Sequence, residues 1–344
     1  VVLVSGDLLT GERIRSLQRS RSIEATKWRR LDFIVFVMGL FHLKMACADA
    51  IWRLFIRANK GRIDSTSLIE LIGQIRPRET GKFTSGPPFR ALHEAIQHVG
   101  AMLRLDCWRQ EASAQTGKSL SLEEFAMSKP SWDDLVSMAI KISKEYVGSA
   151  EKITLLRRKE SAERDMQYEN ILILQQYLLL YEETSYAMNA GDIGRLESTF
   201  CSWIWIFNCC GKKKYASELR RYLEDIHFIY PKEIRYCKAI RMNILCNPSG
   251  RVGAFRAIDW VVEHHNLFLK RIYGGKFSNQ TTARIIKESC LIEMYRNIQA
   301  KVELMFQFNR YSTHHALPEM VDTLTKLAQY IEQEDVNRFI VGRS

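Results

Sequence analysis

The chain has 344 residues, with 50 Lys and Arg against 39 Asp and Glu and a formal net charge of +11. At 46% apolar and 26% charged residues it is ordinary globular material, long enough to bury a core, which excludes a disordered or collagen-like chain. Its apolar runs, 33–41 and 171–174, fall short of the roughly 20 residues that span a bilayer, so no membrane partner is expected.

Residues 1–5 (Val-Val-Leu-Val-Ser) are β-branched and apolar without a helical period, which predicts a short buried strand. No initiator Met stands before them, and such a start suggests a piece of something longer. Gly6-Asp7 ends the strand, and Thr10 is a candidate N-cap for a basic helix over about 12–22. Phe33–Met38 is a second run of strand length closed by Gly39, leading into a helix over about 41–58. Residues 1–58 therefore read strand, helix, strand, helix, the grammar of a parallel βαβ unit.

Beyond this point the strand signal disappears. Glycines with Pro77, Pro87 and Pro88 mark 59–88 as a loop or linker. A helical region over 89–250 follows, with segments near 89–112, 132–148, 151–189, 193–208, 215–228 and 232–245. Asn247-Pro248-Ser249-Gly250 is a turn. The remainder, 251–344, carries helices near 255–273, 281–308 and 319–336, the first stopped by Gly274-Gly275. The fold class expected is α/β but predominantly helical: a parallel strand pair with a large helical insertion that returns to the sheet through 255–273.

None of the 8 cysteines forms a Cys-x-x-Cys pair, and their scatter over apolar helical stretches suits reduced thiols in a reducing compartment. His264-His265 and His314-His315 are adjacent pairs whose members point to different helix faces, which argues against a zinc site. Asp259, Glu263, Asn266 and Lys270 fall at about 0°, 40°, 340° and 20° around one helix, a narrow polar stripe among apolar neighbours. The stripe admits two readings: Glu263 as a metal carboxylate with Lys270 meeting a phosphate, or a solvated face in which Asp259 and Glu263 capture nearby arginines. Asp7, at the carboxyl end of a strand, stands where ligand crevices open in α/β sheets, although Gly-Asp is also a common strand-ending turn. His42 at the end of the second strand is either packing or a ligand. Arg13, Arg15 and Arg19, continued by Arg21, Lys27, Arg29 and Arg30, form one basic cluster, and Lys212, Lys213 and Lys214 a second. Both suit phosphate backbones, or are simply solvated helix faces.

In combination these segments carry a resemblance. Gly6-Asp7-Leu8-Leu9-Thr10-Gly11-Glu12-Arg13, Gly39-Leu40-Phe41-His42-Leu43-Lys44-Met45, Gly191-Asp192-Ile193-Gly194-Arg195, Lys214-Tyr215-Ala216 and Asn247-Pro248-Ser249-Gly250 leading to Asp259, Glu263, Asn266 and Lys270 resemble a domain-of-unknown-function family of mushroom-forming fungi, often found near transposons. The order of the blocks is also distantly similar to the later part of Mutator-like DDE transposases, which have a ribonuclease-H-like core. That resemblance implies Asp7 as the second Asp, His42 as the His that follows it, and Glu263 as the final Glu. Mg²⁺ or Mn²⁺ would be held by Asp7 and Glu263, with His42, Asp259, Asn266 and Lys270 in support and DNA as the substrate of a nuclear protein. Two departures stand out: Gly39 occupies the Cys position of the Cys-x-x-His pattern, and the first Asp would lie upstream of Val1. They imply an incomplete or inactive centre. The alternative is a non-enzymatic basic helical module that binds nucleic acid or protein.

Overall fold

The computed structural model describes residues 2–117, 119–229, 236–274, 281–306 and 319–344. The chain opens with strand β1 (Val2–Gly6), helix α1 (Leu8–Ser20), strand β2 (Ile34–Met38) and helix α2 (Leu40–Trp52), which a π-helical turn extends over Arg53–Arg57. Then come α3 (Leu68–Ile75), α4 (Thr80–Ser85), α5 (Phe89–Thr116), α6 (Leu122–Met127), α7 (Trp132–Glu145), α8 (Ala150–Arg157), α9 (Met166–Ala190), α10 (Ile193–Cys209) and α11 (Lys213–Glu224). The last elements are α12 (Tyr236–Asn243), β3 (Leu245–Cys246), β4 (Arg256–Ala257), α13 (Ile258–Tyr273), α14 (Thr282–Glu288), α15 (Ile292–Met305) and α16 (Val321–Gln333). The protein is thus mainly helical with two short parallel strands. No helix among the described residues is long and apolar enough to cross a membrane.

Two compact units share this chain. Unit 1 comprises Val1–Leu43, Met188–Ile193 and Arg221–Pro318. Its β1 and β2 pair in parallel, Val2 opposite Ile34 through Gly6 opposite Met38. Helix α1 makes the crossover and lies close on β2 because Gly11, its one buried residue, has no side chain to displace the Phe36 ring. The residues of β1 are only part-buried, and Val2 is exposed, where a buried strand was expected. Among the described residues this sheet has two strands, so each keeps one edge open. A further pair, β3 with β4, is antiparallel and was not anticipated, since two-residue strands carry no readable period. The expected turn at 247–250 lies in the connection between them.

Unit 2 comprises Lys44–Ala187, Gly194–Arg220 and Glu319–Ser344, and is helical. Its largest fully buried side chains include Trp203, Tyr181, Phe83, Phe200 and Phe207, and the Trp203 indole N–H donates to Thr184 Oγ1 at 2.8 Å. The segment 59–88 is not a linker: it holds α3 and α4, and Leu68, Leu71 and Ile72 of α3 are fully buried. Its prolines occupy turns and a helix entrance, where their missing N–H costs nothing. The helix expected over 151–189 is two, α8 and α9, and the break is fixed by Asp165. That wholly buried carboxylate accepts from the Tyr168 and Ile340 amides at 2.8 and 2.7 Å and pairs with Arg343 at 2.9 Å, tying the C-terminal tail to the start of α9.

Candidate functional site at the strand ends

In unit 1 both strands finish at the same edge of the sheet, where the Gly39 amide donates to the Gly6 carbonyl at 2.8 Å. Helices α1 and α2 start there, so their first N–H groups and positive dipole ends collect at one place. Carboxylates answer them. The N-cap of α1 is Asp7 rather than Thr10: its Oδ1 accepts from the Thr10 amide at 2.8 Å and the Thr10 hydroxyl at 2.7 Å. Thr10 instead occupies the third helical position, whose amide is the one an N-cap side chain reaches. These two bonds, the hydroxyl first, hold the Asp7 carboxyl below its usual range; partial burial opposes them, and His42 and Arg13 assist.

The cap of α2 comes from far along the chain. Asp259, in the first turn of α13, is 1% exposed. Its Oδ1 accepts from the Phe41 amide and its Oδ2 from the His42 amide, each at 3.0 Å. The same Oδ2 meets His42 Nδ1 at 2.9 Å. Gly39 explains itself here: a Cβ at this position would overlap the Asp259 carboxylate. The Cys of the Cys-x-x-His pattern is sterically incompatible with an Asp so placed.

His42 is therefore oriented from both sides, with Nδ1 on Asp259 and Nε2 3.9 Å from Glu263 Oε1. Its pKa is raised, first by the hydrogen bond to Asp259, against the pull of burial, and then by the negative charges of Asp259, Glu263 and Asp7. Asp7, His42, Asp259 and Glu263 thus form one electrostatic cluster. Glu263 is about half exposed, and Asn266 and Lys270 follow it on α13, the former part-buried and the latter exposed. Asp259, expected as a supporting member, is the structural centre of the cluster.

Hard cations such as Mg²⁺ or Mn²⁺ need several free oxygen ligands, and a two-ion phosphoryl-transfer centre needs carboxylates shared between ions about 3.5–4 Å apart. Both Asp259 oxygens are engaged by α2, and Asp7 Oδ1 is engaged by Thr10. Glu263 and the second Asp7 oxygen do not make such a set. Among the described residues, no group of three or more His, Cys, Asp or Glu side chains could hold a metal ion. The residues present do not fit a two-cation centre.

The basic residues divide between the units. On α1, Arg13 and Arg19 are exposed, and Arg15 lies over the Phe36 ring at 5.4 Å. In unit 2, Lys213 and Lys214 are exposed in the first turn of α11. Lys212 is held inward: its ammonium is 2.6 Å from Asp49 and 5.6 Å from the Tyr215 ring centre, and its side chain is 13% exposed. It neutralises Asp49 rather than extending the basic surface. The seven cysteines whose side chains are described are free thiols; Cys237 lies outside them. The side chain of His265, residues 232–235 of the helix expected near 232–245, the last two residues of that expected near 281–308, and His314 and His315 also lie outside what is described. Sequence reasoning missed Trp28, an exposed indole directly flanked by Lys27 and Arg29, a signal legible as an aromatic inside a basic cluster.

Residues 1–315 match the family model described as "Family of unknown function (DUF6589)", and the chain belongs to that family. No curated protein and no solved structure matches it.

Proposed function

From that family membership and the cluster at the strand ends, we propose that this protein carries a transposon-derived, DDE-transposase-like core of ribonuclease-H type. In this reading it holds DNA in the nucleus and does not by itself complete a phosphoryl-transfer centre. One observation carries it: His42, just past β2, faces Asp7 beyond β1 and two acids of a helix more than 200 residues later, Asp259 and Glu263. An Asp, a His and a distant helical Glu converging on the ends of parallel strands is the arrangement the sequence resemblance requires. The net charge of +11 and the exposed arginines of α1 supply attraction to the phosphate backbone.

A second reading is a non-enzymatic nucleic-acid-binding or protein-binding module. It is favoured by the engagement of Asp7 and Asp259 within the chain itself, as N-caps. The first reading and the nucleic-acid form of the second share DNA binding without cleavage; the protein-binding form lacks it. The test is nicking and strand transfer on supercoiled DNA with Mg²⁺ or Mn²⁺, beside salt-dependent DNA binding. Residues 1–344 are expected to bind and not to cut. Robust cleavage lost in Asp7→Ala and Glu263→Gln would overturn the inactive reading. Absence of DNA binding at about 50 mM salt, where phosphate contacts are strongest, would overturn the first reading and leave only the protein-binding form of the second. Replacing Arg13, Arg15 and Arg19 with Ala should weaken binding and flatten its salt dependence by about 0.9 per lost phosphate contact.

A further inference from the structure

The loop between α1 and β2 displays an indole in a way that packing does not explain. Trp28 is 72% exposed, yet its ring stacks on Phe33 with centroids 4.3 Å apart and planes 13° apart. One face of the indole is thus covered and the other is open to solvent. The platform is held firmly. Gln18 of α1 donates through Nε2 to the Leu31 and Ile34 carbonyls at 3.0 and 2.9 Å. The Arg30 and Asp32 amides close the turn onto Thr26 and Lys27 at 3.0 and 3.1 Å. Leu31 takes a left-handed backbone, φ 62°, to make that turn.

Charge surrounds the ring. Residues 21–33, the whole loop, carry Arg21, Lys27, Arg29 and Arg30 against Glu24 and Asp32. Arg30 is committed to Asp32 at 3.1 Å, and Arg21 reaches the Arg29 carbonyl at 3.3 Å. The exposed Lys27 and Arg29 stand directly on either side of Trp28. A flat ring with one open face between two cations matches an unpaired base with its flanking phosphates. Paired bases already stack on each other within a duplex and do not offer such a face. A protein partner would also use an exposed Trp, but the excess of cations over acids in the loop favours a polyanion.

We propose that Trp28, with Lys27 and Arg29, is a stacking platform for unpaired nucleotides of single-stranded nucleic acid. This rests on the nucleic-acid reading above and names its substrate class. The platform lies at the N-terminal end of β2, one strand length (about 17 Å at ~3.3 Å per residue) from the cluster at the other end, so substitutions in the loop leave that cluster intact.

The test measures affinity of the full chain for labelled oligothymidylate of about 12 nucleotides, oligouridylate of the same length and a duplex of the same length. Trp28→Ala should weaken single-strand binding by about 5- to 150-fold and change duplex binding by less than about 2-fold. Trp28→Phe, which keeps a ring, should retain most of the affinity. Replacing Lys27 and Arg29 with Ala should lower the single-strand salt slope by about 1.4. A preference for either polymer identifies DNA or RNA as the source of the strand, and both support the platform. If Trp28→Ala binds single strands like the parent while the Arg13, Arg15 and Arg19 variant is weakened, this inference falls and the DNA reading stands. If the parent binds no nucleic acid, both fall. The indole is exposed, so its removal should leave the thermal midpoint within about 2 °C.

Discussion

Replacing Asp259 tests how the strand-end cluster is built. The carboxylate is 1% exposed and satisfies two backbone amides at the start of α2 together with His42 Nδ1. In Asp259→Ala those two part-buried donors lose their acceptor, at about 1–3 kcal/mol each, so a loss of about 2–5 kcal/mol is expected. Asp259→Asn keeps one acceptor but turns an NH₂ or a lone oxygen toward donors that need two, and should lose somewhat less. The imidazole reports the same event independently. Its pKa is raised chiefly by the bond to Asp259, and burial opposes that bond. In Asp259→Asn it should therefore move down. A raised folded-state pKa stabilises the fold fully below the unfolded value near 6.5, and this contribution fades as pH rises through the folded value. The stability gap between parent and variant should accordingly narrow as pH rises above about 6.5 and through the raised folded value. Hydrogen exchange of the Phe41 and His42 amides, with an NMR titration of the His42 ring, measures both effects. A His42 that titrates at the same pH or higher in Asp259→Asn, or amides no less protected in Asp259→Ala, would refute the reasoning.

Gly39→Ala should reproduce much of that loss, because its Cβ displaces the same carboxylate; combined with Asp259→Ala it should add far less than the sum in chemical unfolding. Asp7→Ala removes the cap of α1 and should cost about 1 kcal/mol at neutral pH. Since the Asp7 carboxyl is held below its usual range, its contribution is present above about pH 3.8 and lost as acid titrates through the lowered value, so the variant's unfolding curve should converge on the parent's in acid. Arg343→Ala strands the buried Asp165 carboxylate with only amide partners and should cost about 3–5 kcal/mol, visible as a lower thermal midpoint and increased proteolysis of residues 340–344. Burial brings the His93 pKa to about 4, so stability should fall as pH drops from about 6.5 to 4, when the unfolded imidazole takes up its proton first. His93→Gln should flatten that segment of the pH profile.

Local signals settled much of this protein. β-branched runs closed by Gly6 and Gly39 fixed two short strands, with α1 between them, and the 3.6-residue period marked α5, α7, α10 and α16 within a few residues. These are properties of neighbours in sequence, where backbone preference and face periodicity act directly. The polar stripe of α13 was equally legible, but its division of labour was not. Asp259 and Glu263 sit one turn apart with similar chemistry, and only the approach of α2 makes the first a buried cap and leaves the second beside His42 Nε2. The same holds for Lys212, withdrawn by Asp49, and for the 59–88 segment, whose Gly and Pro read as a linker until α3 buries Leu68, Leu71 and Ile72. Desolvation and pairing depend on what arrives from hundreds of residues away. A helix period shows which residues share a face, and only the packed structure determines what meets that face.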